Sequence, residues 1–76
     1  MPKELPQWVL DARRVVADRV RCARIDAGWT QERLVEISGV DRSTLQRLEA
    51  GTHDTRISAL LMVAHALRVP AKDFLP

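Results

Sequence analysis

Within the segment Thr30 to Gly51, TQERLVEISGVDRSTLQRLEAG, the side chains Arg42, Ser43, Gln46 and Arg47 fall on one face of a helical pattern whose other face carries Leu45 and Leu48. Two guanidinium forks, an amide and a hydroxyl on an outward helix face can hydrogen-bond to base edges or to phosphate oxygens. Arg42 or Arg47 has the fork that fits O6 and N7 of guanine, a pairing worth ~1–3 kcal/mol of discrimination. Each has equally the charge needed to hold a phosphate and read nothing. Thr44 and Gln46 either flank such contacts or face solvent.

Such a face is useful only if the preceding chain pushes it outward. Thr30 can accept a backbone N–H bond as a helix cap, and Glu32 in the first turn suits the positive end of the helix dipole. Leu34 and Ile37 are three apart and share a face, with Val35 beside them. Gly39 then allows the left-handed conformation that ends a helix, and Asp41 caps the next one. Only Ser38, Gly39 and Val40 separate the two patterns, so the helices must cross steeply.

Upstream, Leu5, Val9, Ala12, Val16, Val20, Ala23 and Ala27 step by three or four and describe one apolar stripe running to Gly28. Pro6 fits a first helical turn and Gly28 a C-terminal cap. An unbroken helix of that length would be roughly 30 Å long at ~1.5 Å per residue. Downstream, residues 52–55 make a loop, a fourth helix is expected to bury Ile57, Leu60, Leu61, Ala64 and Leu67, and Pro70 opens a short last turn docking Phe74 and Leu75. No segment alternates with period two, so the expected fold is all-α, a compact five-helix bundle.

Composition bounds the partners. With 76 residues the chain is read as one domain, near the size at which a single core is only just sufficient. The formal charge is a modest +2, so any basic surface must be local, although ten of the twelve basic residues are arginine. Cys22 is alone and cannot form an internal disulfide, which suits a reducing cytoplasm. No secretory leader or membrane-length apolar run is present, and none of the glycine-rich phosphate loops or nucleophile elbows occurs. His53 and His65 lack helical ligand spacing and Cys22 lacks a C-x-x-C partner, so neither a metal nor a cofactor is expected. His53 beside Asp54 in a loop reads as surface, and the chain is not expected to be an enzyme.

At this point the chain resembles the helix-turn-helix domains of phage repressors and Cro proteins, the xenobiotic-response-element type. The resemblance rests on the apolar positions Leu34, Val40, Leu45 and Leu48, the glycine at Gly39, the TQ at Thr30 and Gln31, the LEAG at 48–51 and the run LLMVAHALRVPAKDFL. It covers about residues 16–75 and leaves residues 1–15 as an N-terminal extension of the first helix. Val35 stands where the family prefers alanine, and Thr55 where it commonly has proline. The resemblance implies a lambda-repressor-like DNA-binding domain over 16–76, with residues 41–49 as a recognition helix in the major groove of double-stranded DNA. It places Arg42, Ser43 and Arg47 at base-reading positions, with Thr44 and Gln46 beside them. It places Gln31, with Thr30 and the first N–H groups of its helix, at the phosphate backbone. Thr52, His53 and Arg56 are further phosphate candidates from the loop, Arg56 being equally a solvated cation. Arg24 and Glu49 match the family's structural salt bridge; as two exposed charges they would contribute under ~1 kcal/mol.

The function implied is a cytoplasmic, sequence-specific transcriptional regulator working as a homodimer, with no ligand-sensing domain. Two other readings stand beside it: an antitoxin that neutralises a protein partner, and a protein-interaction module that has kept the fold. Trp8, Val15 and Cys22 repeat every seven residues and flank the core stripe, so the first helix is apolar over a wide arc. A second subunit covering that arc is the expectation, the alternative being the chain's own Phe74 and Leu75.

Overall fold

A computed structural model describes residues 4–76. Of the extension expected at residues 1–15, residues 1–3 lie outside the described residues. The chain forms α1 (Gln7–Asp26), α2 (Gln31–Ser38), α3 (Arg42–Ala50) and α4 (Ile57–Leu67), followed by a 3-10 turn at Ala71–Phe74. The expected fifth helix is therefore a single tight turn. Pro70 fixes the entry, and the backbone is already extended at Leu75, ψ 140°, so only one turn forms.

Each helix boundary has a local cause. Pro6 sits just before α1 rather than in its first turn, and its carbonyl accepts the N–H groups of Val9 and Leu10 at 3.0 and 3.3 Å. Thr30 Oγ1 accepts the N–H of Arg33 at 3.1 Å and starts α2, while Asp41 accepts the N–H of Thr44 at 3.1 Å and starts α3. Both helices end on a left-handed glycine, Gly39 at φ 79° and Gly51 at φ 70°. α4 ends on Arg68, a non-glycine residue at φ 58°. Its N–H and that of Val69 reach back to the His65 and Ala64 carbonyls.

Val20, Leu34, Leu45, Val63 and Phe74 are the large, fully buried side chains, drawn from all four helices and the last turn. Val40 in the hinge and Leu48 close the same core. Three expectations need correction. In α4 the buried residues are Ala59, Val63 and Ala64, whereas Ile57 and Leu61 are 74% and 51% exposed. The sequence ISALLMVAHAL is apolar around most of its circumference, so periodicity could not choose the inner face; packing against α2 and the last turn chose the one with small residues. Ile37, expected inside, is half-exposed, because the eight-residue α2 covers the core with Leu34 and Val35. Leu75 is also half-exposed, although Arg19 donates to its carbonyl and that of Asp73, and only Phe74 docks fully.

On α1 the deepest contacts are Val20 and Ala17, the latter outside the expected stripe, whereas Ala27 caps the helix in solvent. Ala17 lies under the α1–α3 crossing, where a Cβ built on Gly51 would come within 3.0 Å of the Ala17 Cβ and 3.3 Å of the Arg14 Cα. Gly51 thus meets two demands, a positive φ and close backbone approach. Gly39 has only the first, since its nearest neighbour would be the flexible Met62 Cε at 3.6 Å. Gly39→Ala is expected to cost ~1–2 kcal/mol from backbone strain alone. Gly51→Ala should cost more by ~1 kcal/mol or above, because α1 must also shift. Urea unfolding of both variants checks the order, and equal losses would show that the crossing is loose.

Candidate nucleic-acid interface

The interface begins with an anion buried behind it. Glu49, in the last turn of α3, is 3% exposed. Its carboxylate receives Arg24 Nε at 2.8 Å and Arg24 Nη2 at 3.0 Å in a bidentate pair, and Gln31 Nε2 at 3.1 Å. Arg24 also donates Nη1 to the Trp29 carbonyl at 2.8 Å, and Arg21 donates to the Glu49 backbone carbonyl at 2.6 Å. Helices α1, α2 and α3 are therefore tied at one carboxylate, which fixes how α3 is presented.

With Leu45, Leu48 and Glu49 turned inward, Arg42, Ser43, Gln46 and Arg47 stand on the exposed side of α3 and Thr44 is half-buried beside them. Three of these five are engaged within the protein. Ser43 Oγ and Thr44 Oγ1 both donate to the Asp41 carboxylate, at 2.7 and 2.8 Å. Arg42 Nη1 donates to Glu32 Oε1 at 3.1 Å across the hinge. A hydroxyl whose hydrogen is committed inward presents only lone pairs outward, so Ser43 in this arrangement accepts from an exocyclic amine of adenine or cytosine and has nothing to give a phosphate. Gln46 and Arg47 have no such partner among the described residues.

Gln31, placed at the phosphate backbone from the sequence, stands half-buried at the first position of α2 with one amide hydrogen given to Glu49. Its second N–H remains for a ligand. Thr30 is exposed with its Oγ1 used as the cap acceptor. In the loop, Thr52 Oγ1 and His53 Nδ1 are 2.9 Å apart, and Asp54 pairs with Arg13 of α1 at 3.0 Å. Arg56 is exposed just before α4 and shares a small surface hollow of about 90 Å³ with Thr44, Arg47, Asp54 and Thr55. Arg47 and Arg56 thus converge on one place from two elements. Sequence reasoning missed Glu32, Arg21 and the Arg13–Asp54 pair, whose partners lie 10, 28 and 41 residues away with no local pattern joining them.

A helix-turn-helix family model matches residues 20–74. The chain belongs to the helix-turn-helix family. It is 35% identical over 75 residues to the Neisseria hypothetical transcription factor of Neisseria meningitidis serogroup B, covering 99% of this chain and 70% of that protein. It is 30% identical over 66 residues to control protein C.SmaI of Serratia marcescens, covering 87% and 79%. Of solved structures, the hypothetical transcription factor NHTF from Neisseria matches with a TM-score of 0.80 and 34% identity, covering all (100%) of this chain and 86% of that one. The restriction-modification controller protein C.AhdI from Aeromonas hydrophila matches with a TM-score of 0.77 and 28% identity, covering 83% and 96%.

Two ionic devices in this helix-turn-helix can be tested. Removing the Glu49 carboxylate strands Arg24 with a single carbonyl partner in a site where its side chain is only 14% exposed. Glu49→Ala is expected to lose ~3–5 kcal/mol, with strong coupling to Arg24→Ala in a double-mutant cycle. Coupling below ~0.5 kcal/mol would reduce the pair to surface decoration. The second device is the cap of α3. The Ser43 hydroxyl, then the Thr44 hydroxyl and the Thr44 N–H, hold the Asp41 carboxyl down from 3.8 to about 2. A group depressed in the folded state contributes stability above its unfolded pKa and loses it as pH falls through the folded one. The wild type should therefore exceed Asp41→Asn in urea midpoint above pH 3.8, and the gap should close between 3.8 and about 2. A gap independent of pH across that window would show that the charge contributes nothing.

Proposed function

We propose that this DNA-binding transcriptional regulator reads double-stranded DNA as a symmetric dimer, with α3 in the major groove and the start of α2 and the 52–56 loop against phosphates. The observation that carries this reading is the outward face of α3, which holds Arg42, Ser43, Gln46 and Arg47 in solvent while a buried ionic tie fixes its orientation. In the proposed mechanism Arg42 and Arg47 address guanine, Ser43 and Thr44 accept from exocyclic amines, and Gln46 flanks them. Gln31, Thr30, Thr52, His53 and Arg56 hold the backbone and set the register. Its place of action is the cytoplasm, where bacterial DNA is accessible.

A dimer supports this because one small module supplies little discrimination alone, and two copies read two half-sites. The apolar residues left in solvent favour α4 as the joint. Ile57 and Leu61, one turn apart, are 74% and 51% exposed, with Met62 alongside. The α1 row expected to meet a second subunit is less continuous, with Trp8 and Cys22 exposed but Val15 half-buried. The likeness to the restriction-modification controller protein C.AhdI further favours a controller of restriction-modification genes over the antitoxin or protein-interaction readings.

Selection of bound sequences from random duplex DNA, with salt dependence measured, tests the proposal, and a chain with no sequence preference would end it. Arg47→Ala is expected to flatten the preference at one base pair, whereas Arg56→Ala should weaken all sequences alike. Leu61→Glu should shift the mass by light scattering from dimer to monomer and reduce operator affinity by ~10-fold or more, as expected when one half-site must bind alone. A dimer that survives Leu61→Glu but is lost on Trp8→Ala would move the joint to α1.

A further inference from the structure

We infer that Glu32 is a specificity-determining residue of this interface, acting through Arg42: its carboxylate keeps the guanidinium off the phosphates and available to a base. The inference rests on the reading of α3 as the recognition helix. Glu32 is the second residue of α2 and Arg42 the first of α3, and their 3.1 Å ion pair is a direct side-chain tie across the hinge on the exposed side. Its side chains are 67% and 60% exposed, so it does little to hold the fold together. Its position, at the mouth where two helix N-termini open toward the proposed ligand, is where it matters.

Helix N-termini attract phosphate, and an unpaired arginine beside them would be drawn to the nearest backbone oxygen. A carboxylate there acts in the opposite sense for every duplex, because it repels the backbone whatever the base sequence. What it provides in return is orientation. The guanidinium has five donors in a rigid fork, and the Nη1 donor given to Glu32 leaves the others to meet an acceptor pair on a base edge. An exposed pair of this kind biases the guanidinium rather than holding it, and it leaves Nε and Nη2 as a fork for guanine. Arg56, just before α4, has no carboxylate partner among the described residues, so general attraction is left to it. Glu32 thus lowers affinity for DNA at large and sharpens reading at one base pair, a division of labour between Arg42 and Arg56.

The test uses the full chain and the variants Glu32→Gln, Arg42→Ala and the double variant. Dissociation constants are measured on the selected operator, on its single-base changes and on a random duplex, over a range of salt. Glu32→Gln should bind the random duplex several-fold more tightly and steepen the salt slope by about one unit, as for one added phosphate contact. It should also lose at least five-fold of the preference at the base pair where Arg42→Ala loses it, and the double variant should lose no more there. Helix content and the urea midpoint should stay near the wild type, which a merely structural role would not permit alongside an altered base profile. Tighter binding to every sequence by one factor, with base preferences intact, would overturn the inference and make Glu32 a repulsive charge only. A preference lost at a different base pair from that of Arg42→Ala would overturn it as well. A wild type without sequence-selective binding would remove the DNA-reading proposal and this inference together, whereas a selective wild type with an unchanged Glu32→Gln profile removes this inference alone.

Discussion

A carboxylate withdrawn from water is the constraint around which this small protein is arranged. Burying Glu49 without partners would cost several kcal/mol, so the structure must bring donors to it. Arg24 comes from α1 and Gln31 from the start of α2, while Arg21 ties the same turn through its backbone carbonyl. Those donors can converge only if α1, α2 and α3 adopt one mutual arrangement. Apolar packing by Val20, Leu34 and Leu45 would tolerate some sliding, whereas a bidentate fork does not. The tie accordingly contributes precision of α3 more than net stability.

The same economy of parts recurs at the front of the molecule. Asp41 caps α3 and at once takes the hydrogens of Ser43 and Thr44, so the residue that starts the helix also orients one side chain on its exposed face and one beside it. Gln31 is the junction between the two systems, because one amide hydrogen belongs to Glu49 and the other is directed by that bond. A contact made by Gln31 to a phosphate would therefore report on the buried ion pair behind it. Scaffold and candidate interface share atoms in this protein, and substitutions at either are expected to be felt at both.

The turns and caps were legible in the sequence because their causes are local. Thr30, Gly39 and Asp41 each act within four residues of themselves, and the structure has them capping or ending helices as read. The match over residues 20–74 bears out the family and the helix-turn-helix fold. The inner face of α4 was not legible, since Ile57, Leu60, Leu61 and Val63 are equally apolar and only tertiary contacts choose among them. The pairings of Glu32 and Asp54 were illegible for the same reason: each carboxylate meets an arginine of a different element, and no spacing rule links positions that only the tertiary fold brings together. Arg24 and Glu49 escaped it only because the resemblance supplied the pair.

Charge shows why such pairings decide the electrostatics. The chain has ten arginines but a formal charge of +2, so positive potential depends on which arginines acidic residues leave unmatched. Arg13, Arg21, Arg24, Arg33 and Arg42 are all ion-paired, and Arg19 is spent on the carbonyls of the C-terminal turn. On the α3 side the unmatched cations among the described residues are Arg47 and Arg56, which meet at a single hollow. Attraction so concentrated makes few counterion-releasing contacts, and the salt dependence of one subunit should be shallow. On the proposed reading, so little general grip leaves affinity to come from fitting bases and from pairing with a second copy. The apolar face of α4 proposed as the joint and the Glu32 carboxylate proposed to orient Arg42 would answer that one physical demand together.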